Sequence, residues 1–86
     1  MHLDLPGARV ERSSDGQAFL FEERYGFVYL LNDVGAFLAE RLLSGDEAVD
    51  DLVKAIQDRF DVPSNVNVAD DVDVLLDALR SYGLLA

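Results

Sequence analysis

The stretch Phe27-Val28-Tyr29-Leu30-Leu31-Asn32-Asp33-Val34-Gly35-Ala36-Phe37-Leu38 decides the fold, because the hydrophobic period changes inside it. Phe27 to Leu31 is a compact β-branched and aromatic run, the composition of a strand. Beyond Asn32, the residues Val34, Phe37, Leu38 and Leu42 recur at helical spacing on one face. Asn32 or Asp33 can cap the new helix by accepting from the free backbone N–H groups of its first turn.

Upstream of this switch the pattern is that of strands. Val10 lies between Arg9 and Glu11, and residues 17–23 place Phe19 and Phe21 on one face with Leu20 on the other. Ser13-Ser14-Asp15-Gly16 separates these runs with an Asp-Gly turn signal, and Glu23-Arg24-Tyr25-Gly26 supplies a second turn. Three runs and two short turns predict an antiparallel β-meander. Downstream the pattern stays helical. The first helix stops at Ser44-Gly45, in the usual position for a glycine after a helix. Asp46 is placed to cap a second helix carrying Val49, Leu52, Val53, Ile56 and Phe60, and Pro63 ends it. Asp61 to Asn67 reads as a loop. Asn67 and Asp70 then resemble a capping box ahead of a third helix with Val72, Leu75, Leu76 and Leu79 inward. Gly83 closes that helix, and Leu84-Leu85 fold back on the core. The order β-β-β-α-α-α segregates strands from helices, which predicts an α+β domain of winged-helix-like layout. The 86 residues leave room for one domain, with residues 1–7 expected to be flexible.

Charge and composition exclude several functions. Seventeen acidic residues against seven basic ones give a formal net charge of −10. Residues 44–86 hold ten acids and three bases, and the third helix offers Asp70, Asp71, Asp73 and Asp77 against Arg80 alone. Such a helix repels phosphate, so neither nucleic acid nor an anionic membrane is expected as a partner. There is no cysteine, and the one histidine, His2, adjoins the first residue. A thiolate or multi-histidine metal site and a Ser-His-Asp set are therefore ruled out. The clusters Asp70-Asp71-x-Asp73 and Asp46-Glu47-x-x-Asp50-Asp51 lack the alternating ligands and central glycine of a Ca²⁺ loop, and both lie at helix starts, where carboxylates favour the macrodipole. The Asp-Ser-Leu attachment pattern of an acyl carrier is absent. No enzyme chemistry, metal or cofactor is expected. The N-terminus has no basic, apolar targeting segment and no run long enough to span a bilayer, so the reading is cytoplasmic.

What remains is an edge. The strand Phe27 to Leu31 ends the meander, and a terminal strand can accept an extended peptide by β-augmentation. On the third helix Asp70, Asp73, Val74 and Asp77 share one side, and Val74 is out of phase with the core stripe. A valine exposed among carboxylates there would line a groove beside the strand. The same positions also suit the plainer reading of a tolerated surface valine and a buried strand. An unpaired edge is equally open to a second copy of the chain, as a homodimer.

The run Phe27-Val28-Tyr29-Leu30-Leu31-Asn32, Gly35-Ala36, a helix to Leu42 and then Ser44-Gly45 resembles the PqqD family. So does the ending, with Asp71-Val72, Leu75-Leu76-x-x-Leu79 and Ser81-Tyr82-Gly83-Leu84-Leu85. The resemblance spans about residues 8–85, and its order and spacing carry it more than any single motif. It implies a winged-helix-like domain without catalysis that binds the leader segment of a ribosomally made precursor peptide. The leader adds as a strand beside the third strand and packs on the third helix. It further implies delivery to a modifying enzyme: a radical-SAM protein in pyrroloquinoline quinone pathways, a leader peptidase in lasso-peptide pathways. Carried onto this chain, the contact residues are Phe27, Val28, Tyr29, Leu30 and Leu31 on the strand and Asp70, Asp73, Val74 and Asp77 on the helix. Tyr29 suits an aromatic anchor at low entropy cost and equally suits packing on the helices. The acidic helix suits a leader with Lys or Arg near it. The competing reading is an acidic interaction domain that binds a folded partner through helices two and three.

Overall fold

A computed structural model of the chain describes residues 1–24, 26–60 and 67–86. Strands β1 (Arg9–Arg12), β2 (Ala18–Glu22) and β3 (Phe27–Leu31) form an antiparallel sheet in the order β1-β2-β3. Helices α1 (Asp33–Ser44), α2 (Val49–Arg59) and α3 (Val68–Ser81) follow, in the expected α+β order. Tyr25 in the second turn, Pro63 and most of the expected Asp61-to-Asn67 loop lie outside the described residues.

The β1–β2 turn closes where the Ser13 N–H donates to the Gln17 carbonyl at 2.8 Å, with Gly16 at φ +88°. The Ser13 hydroxyl and the Gln17 N–H both donate to the Asp15 carboxylate, and these bonds, Ser13's foremost, hold it below its ordinary pKa. Alternation then sorts the sheet. Ala18, Leu20 and Glu22 point inward and are buried, while Val28 and Leu30 stand exposed on the outer face. Glu22 is a buried carboxylate that accepts the Arg24 N–H at 2.7 Å.

Helix α1 contacts all three strands. Asn32 caps it, its Oδ1 accepting the Gly35 N–H at 2.7 Å. The buried stripe is Ala36, Leu38, Ala39 and Leu42, with Val34 and Phe37 only partly covered. The two alanines let the helix backbone come close to the sheet, so the stripe turns toward them and away from the larger Val34 and Phe37. Phe37 packs edge-on to Phe60 at 5.6 Å, tying α1 to the end of α2. Gly45 is extended, at φ 164°, and is not a left-handed cap.

One expectation about the second helix is corrected. Asp46 does not cap α2, which begins at Val49 after Ala48 with no side-chain cap. Its carboxylate instead meets His2 Nδ1 at 2.6 Å and lies 3.8 Å from the terminal ammonium. Near the N-terminus, Leu3 is in the core and pairs antiparallel with Leu85. Around it, His2 and Ala86 exchange backbone bonds at 2.9 and 3.0 Å, and the Leu3 N–H donates to Leu42 O at 3.0 Å. A sequence cannot show a partner more than eighty residues away.

Helix α3 has the Asn67 cap, whose Oδ1 accepts the Asp70 N–H at 3.3 Å. Asp70 answers by accepting from the Asn67 side-chain amide at 3.0 Å, a variant of the expected capping box. The helix ends in a Schellman motif. The Gly83 N–H bonds Arg80 O at 2.9 Å and the Leu84 N–H bonds Leu79 O at 3.0 Å, with Gly83 at φ +73°. Leu84 is thereby turned back into the core, beside the buried Leu79. Among the described residues no helix is long and apolar enough to cross a membrane.

Candidate functional site

The hydrogen-bond phase of the sheet follows from one turn. Gln17 opposes Ser13 and directs its carbonyl at β1. A residue's N–H and C=O point to the same side of an antiparallel strand and alternate along it. So Phe19 and Phe21 also bond toward β1, and Ala18, Leu20 and Glu22 bond toward β3. Their partners in register are Leu31, Tyr29 and Phe27, which therefore spend their main-chain groups on β2. Val28 and Leu30 are left with N–H and C=O directed out of the sheet, and no strand pairs with that side among the described residues. The open edge thus offers two donors and two acceptors.

Beside this edge lies a groove of about 340 Å³. Its walls are the end of β3 (Tyr29, Leu30, Leu31, Asn32), the first turns of α1 (Val34, Gly35, Leu38) and the first half of α3 (Asp71, Val74, Leu75). Gly35 narrows its floor: a Cβ there would lie 3.3 Å from Leu31 Cδ2 and 3.2 Å from Asn32 Oδ1. At the other end of β3, Tyr82 packs edge-on to Phe27 and Tyr29, with centroids 5.6 and 6.0 Å apart. The far end of α3 is thus at the start of β3, and its first turns are at the strand's end. The helix runs antiparallel alongside the strand. From Asp71 to Tyr82 the helix rises roughly 16 Å, against roughly 13 Å from Phe27 to Leu31, so this part of α3 spans the whole length of the strand.

The structure brings together only some of the expected contact residues. Tyr29, Leu30, Leu31 and Val74 line the groove. Phe27 packs on Tyr82, and Val28 faces outward while its backbone serves the edge. Val74 is 71% exposed, as its phase implied. Asp70, Asp73 and Asp77 are exposed but do not line the groove; Asp70 is engaged by Asn67 and Asp77 by Arg80 at 3.0 Å. The reason is angular. At about 100° per residue, Asp71, Leu75 and Tyr82 lie on one shoulder of Val74, and Asp70, Asp73 and Asp77 on the other. The shoulder bearing Asp71 is the one turned to β3. Asp71, Leu75, Val34, Leu38 and Tyr82 were not among the expected contacts. The antiparallel alignment that selects them is a tertiary fact, without a local signal.

Among the described residues no group of three or more His, Asp or Glu side chains is arranged to hold a metal. A second, shallower depression between α1 and α2 carries mixed charges, including Arg41, Glu47, Lys54 and Asp58. Its Arg41–Glu47 pair closes at 2.9 Å.

An α+β domain with an unpaired strand edge beside an apolar groove is built to receive an extended chain. Residues 17–85 match the family model for coenzyme PQQ synthesis protein D, and the chain belongs to the PqqD family. Two solved structures are similar. TbiB1 in complex with the TbiA(beta) leader peptide aligns at TM-score 0.70 and 24% identity, over 99% of this chain and 94% of that one. Lasso peptide synthetase B1 complexed with the leader peptide aligns at TM-score 0.63 and 25% identity, over 92% and 89%. No curated protein matches the chain.

Proposed function

We propose that this protein is a non-catalytic module that captures the leader segment of a ribosomally made precursor peptide and presents it to a modifying enzyme. The observation that carries the reading is the open edge at Val28 and Leu30 beside the groove between β3 and α3. An added strand satisfies the two exposed donors and two acceptors, and its alternate side chains enter the groove. Membership of the PqqD family supports the reading, as does the presence of a leader peptide in both similar structures. The description of one of them as a lasso peptide synthetase favours a leader peptidase over a radical-SAM protein as the enzyme served. The work belongs in the cytoplasm, where precursor peptides are made.

An amide-resolved NMR titration with the leader of a neighbouring short precursor gene tests this. Saturable shifts are expected on β3, the start of α1 and the first half of α3. Shifts on the outer faces of α2 and α3, with the β3 edge unmoved, would instead favour a folded partner. Loss of a concentration-dependent dimer as peptide is added would show the edge shared with a second copy.

A further inference from the structure

Asp71 is the one charged side chain in the lining of the groove. The rest of the lining is apolar except for Tyr29, Asn32 and the backbone. Asp71 is exposed, and no hydrogen bond or ion pair engages it among the described residues. Arg80, the one cation on α3, lies two and a half turns further along the helix and is held by Asp77 at 3.0 Å. Because α3 runs antiparallel to β3, Asp71 sits at the Leu31 end of the groove. Val74 and Leu75 follow one turn closer to Tyr29.

This spacing reads a sequence pattern. A helical turn advances about 5.4 Å, and side chains on one face of a strand recur at roughly 6.6 Å. Two successive groove-facing residues of an added strand therefore meet Asp71 and the Val74–Leu75 pair in turn. The residue between them points to the outer face of the sheet, level with Val28 and Leu30.

Resting on the leader-binding reading above, we propose that the occupant carries a Lys or Arg and a branched apolar residue separated by one position. The cation pairs with Asp71, and the apolar side chain fills the space between Leu38, Val74 and Leu75. An acidic residue in place of the cation is repelled both locally and by the net charge of −10.

The test is a selection of random displayed dodecapeptides on the immobilised 86-residue chain, repeated on Asp71→Lys and Asp71→Asn. Circular dichroism confirms that each variant is folded. The wild-type consensus is expected to hold a basic residue one position removed from Leu, Ile or Val. Asp71→Asn loses the basic preference, and Asp71→Lys replaces it with an acidic one. A synthetic winner with its Lys changed to Gln binds about fivefold more weakly, the upper range for a solvent-exposed ion pair. That difference shrinks as salt rises from about 0.05 to about 0.5 M. An apolar consensus without a basic position, or one unchanged in both variants, overturns the inference and leaves leader binding intact. Failure of any peptide to enrich on the folded wild type overturns both.

Discussion

Proline at Val28 separates the edge from the sheet it belongs to. The Val28 N–H points away from β2, so its loss breaks no ladder bond, and Phe27 before it already has the extended backbone that proline requires. The fold is expected to survive. A bound peptide, however, loses one main-chain donor and keeps a carbonyl with no partner. That costs about 1–3 kcal/mol, which is roughly fivefold to 150-fold in affinity at 1.4 kcal/mol per decade. Proline at Tyr29 does the reverse. It removes a β2–β3 bond opposite Leu20 and the ring that packs on Tyr82. The cost is about 3 kcal/mol or more, against a total on the order of 4–13 kcal/mol for a domain of this length. Thermal melts of both variants, with fluorescence-polarisation titrations of a peptide selected on the wild type, read the two effects separately. A folded Val28→Pro that binds as tightly as wild type refutes augmentation at this edge. Tyr29→Pro proving the more stable variant would show the hydrogen-bond phase to be inverted.

Three further outcomes are expected. Asn32→Ala leaves the Gly35 N–H without its acceptor and lowers stability by about 0.5–2 kcal/mol, measured by denaturant titration; because Gly35 lines the groove, peptide affinity falls with it. Gly83→Ala forces an L side chain to φ +73° and costs about 1–2 kcal/mol, whereas a D-alanine placed there by chemical synthesis restores the melting temperature. The hydrogen bond from His2, then its charge, depress the Asp46 carboxyl, so the folded state binds that proton less readily than the unfolded one. The resulting stability is present above the ordinary carboxylate pKa of about 4 and disappears as pH falls through the lower folded value. Melts of wild type and Asp46→Asn should therefore differ at pH 5 and converge on acidification; a gap that widens in acid would contradict the pairing.

In the proposed leader site, main chain counts for as much as side chain. Val28 and Leu30 contribute through groups every residue has, so their identity matters less for the edge than their phase. Specificity falls to the side chains across the groove, and there the helix supplies Asp71, Val74 and Leu75. The outer face, where Phe19 and Phe21 stand in register with Leu30 and Val28, is continuous with the same edge.

Local patterns were enough to order three strands and three helices, because each rests on interactions within a few residues. The Asp15-Gly16 turn, the Asn32 and Asn67 caps and the Gly83 stop are all of this kind, and Val74 could be set apart from the core stripe by counting helical period alone. The sequence also determined the net charge of −10 and the absence of thiols and paired histidines. Tertiary structure decided the rest. Whether Asp71 or Asp70, Asp73 and Asp77 faces the groove depends on which shoulder of α3 turns to β3, and that is set by Tyr82 packing on Phe27 and Tyr29. Asp46 was drawn from a helix start to His2 because the N-terminus pairs with Leu85. Helical period fixes angles within one element; the rotation of that element against another is settled only by packing between residues far apart in the chain.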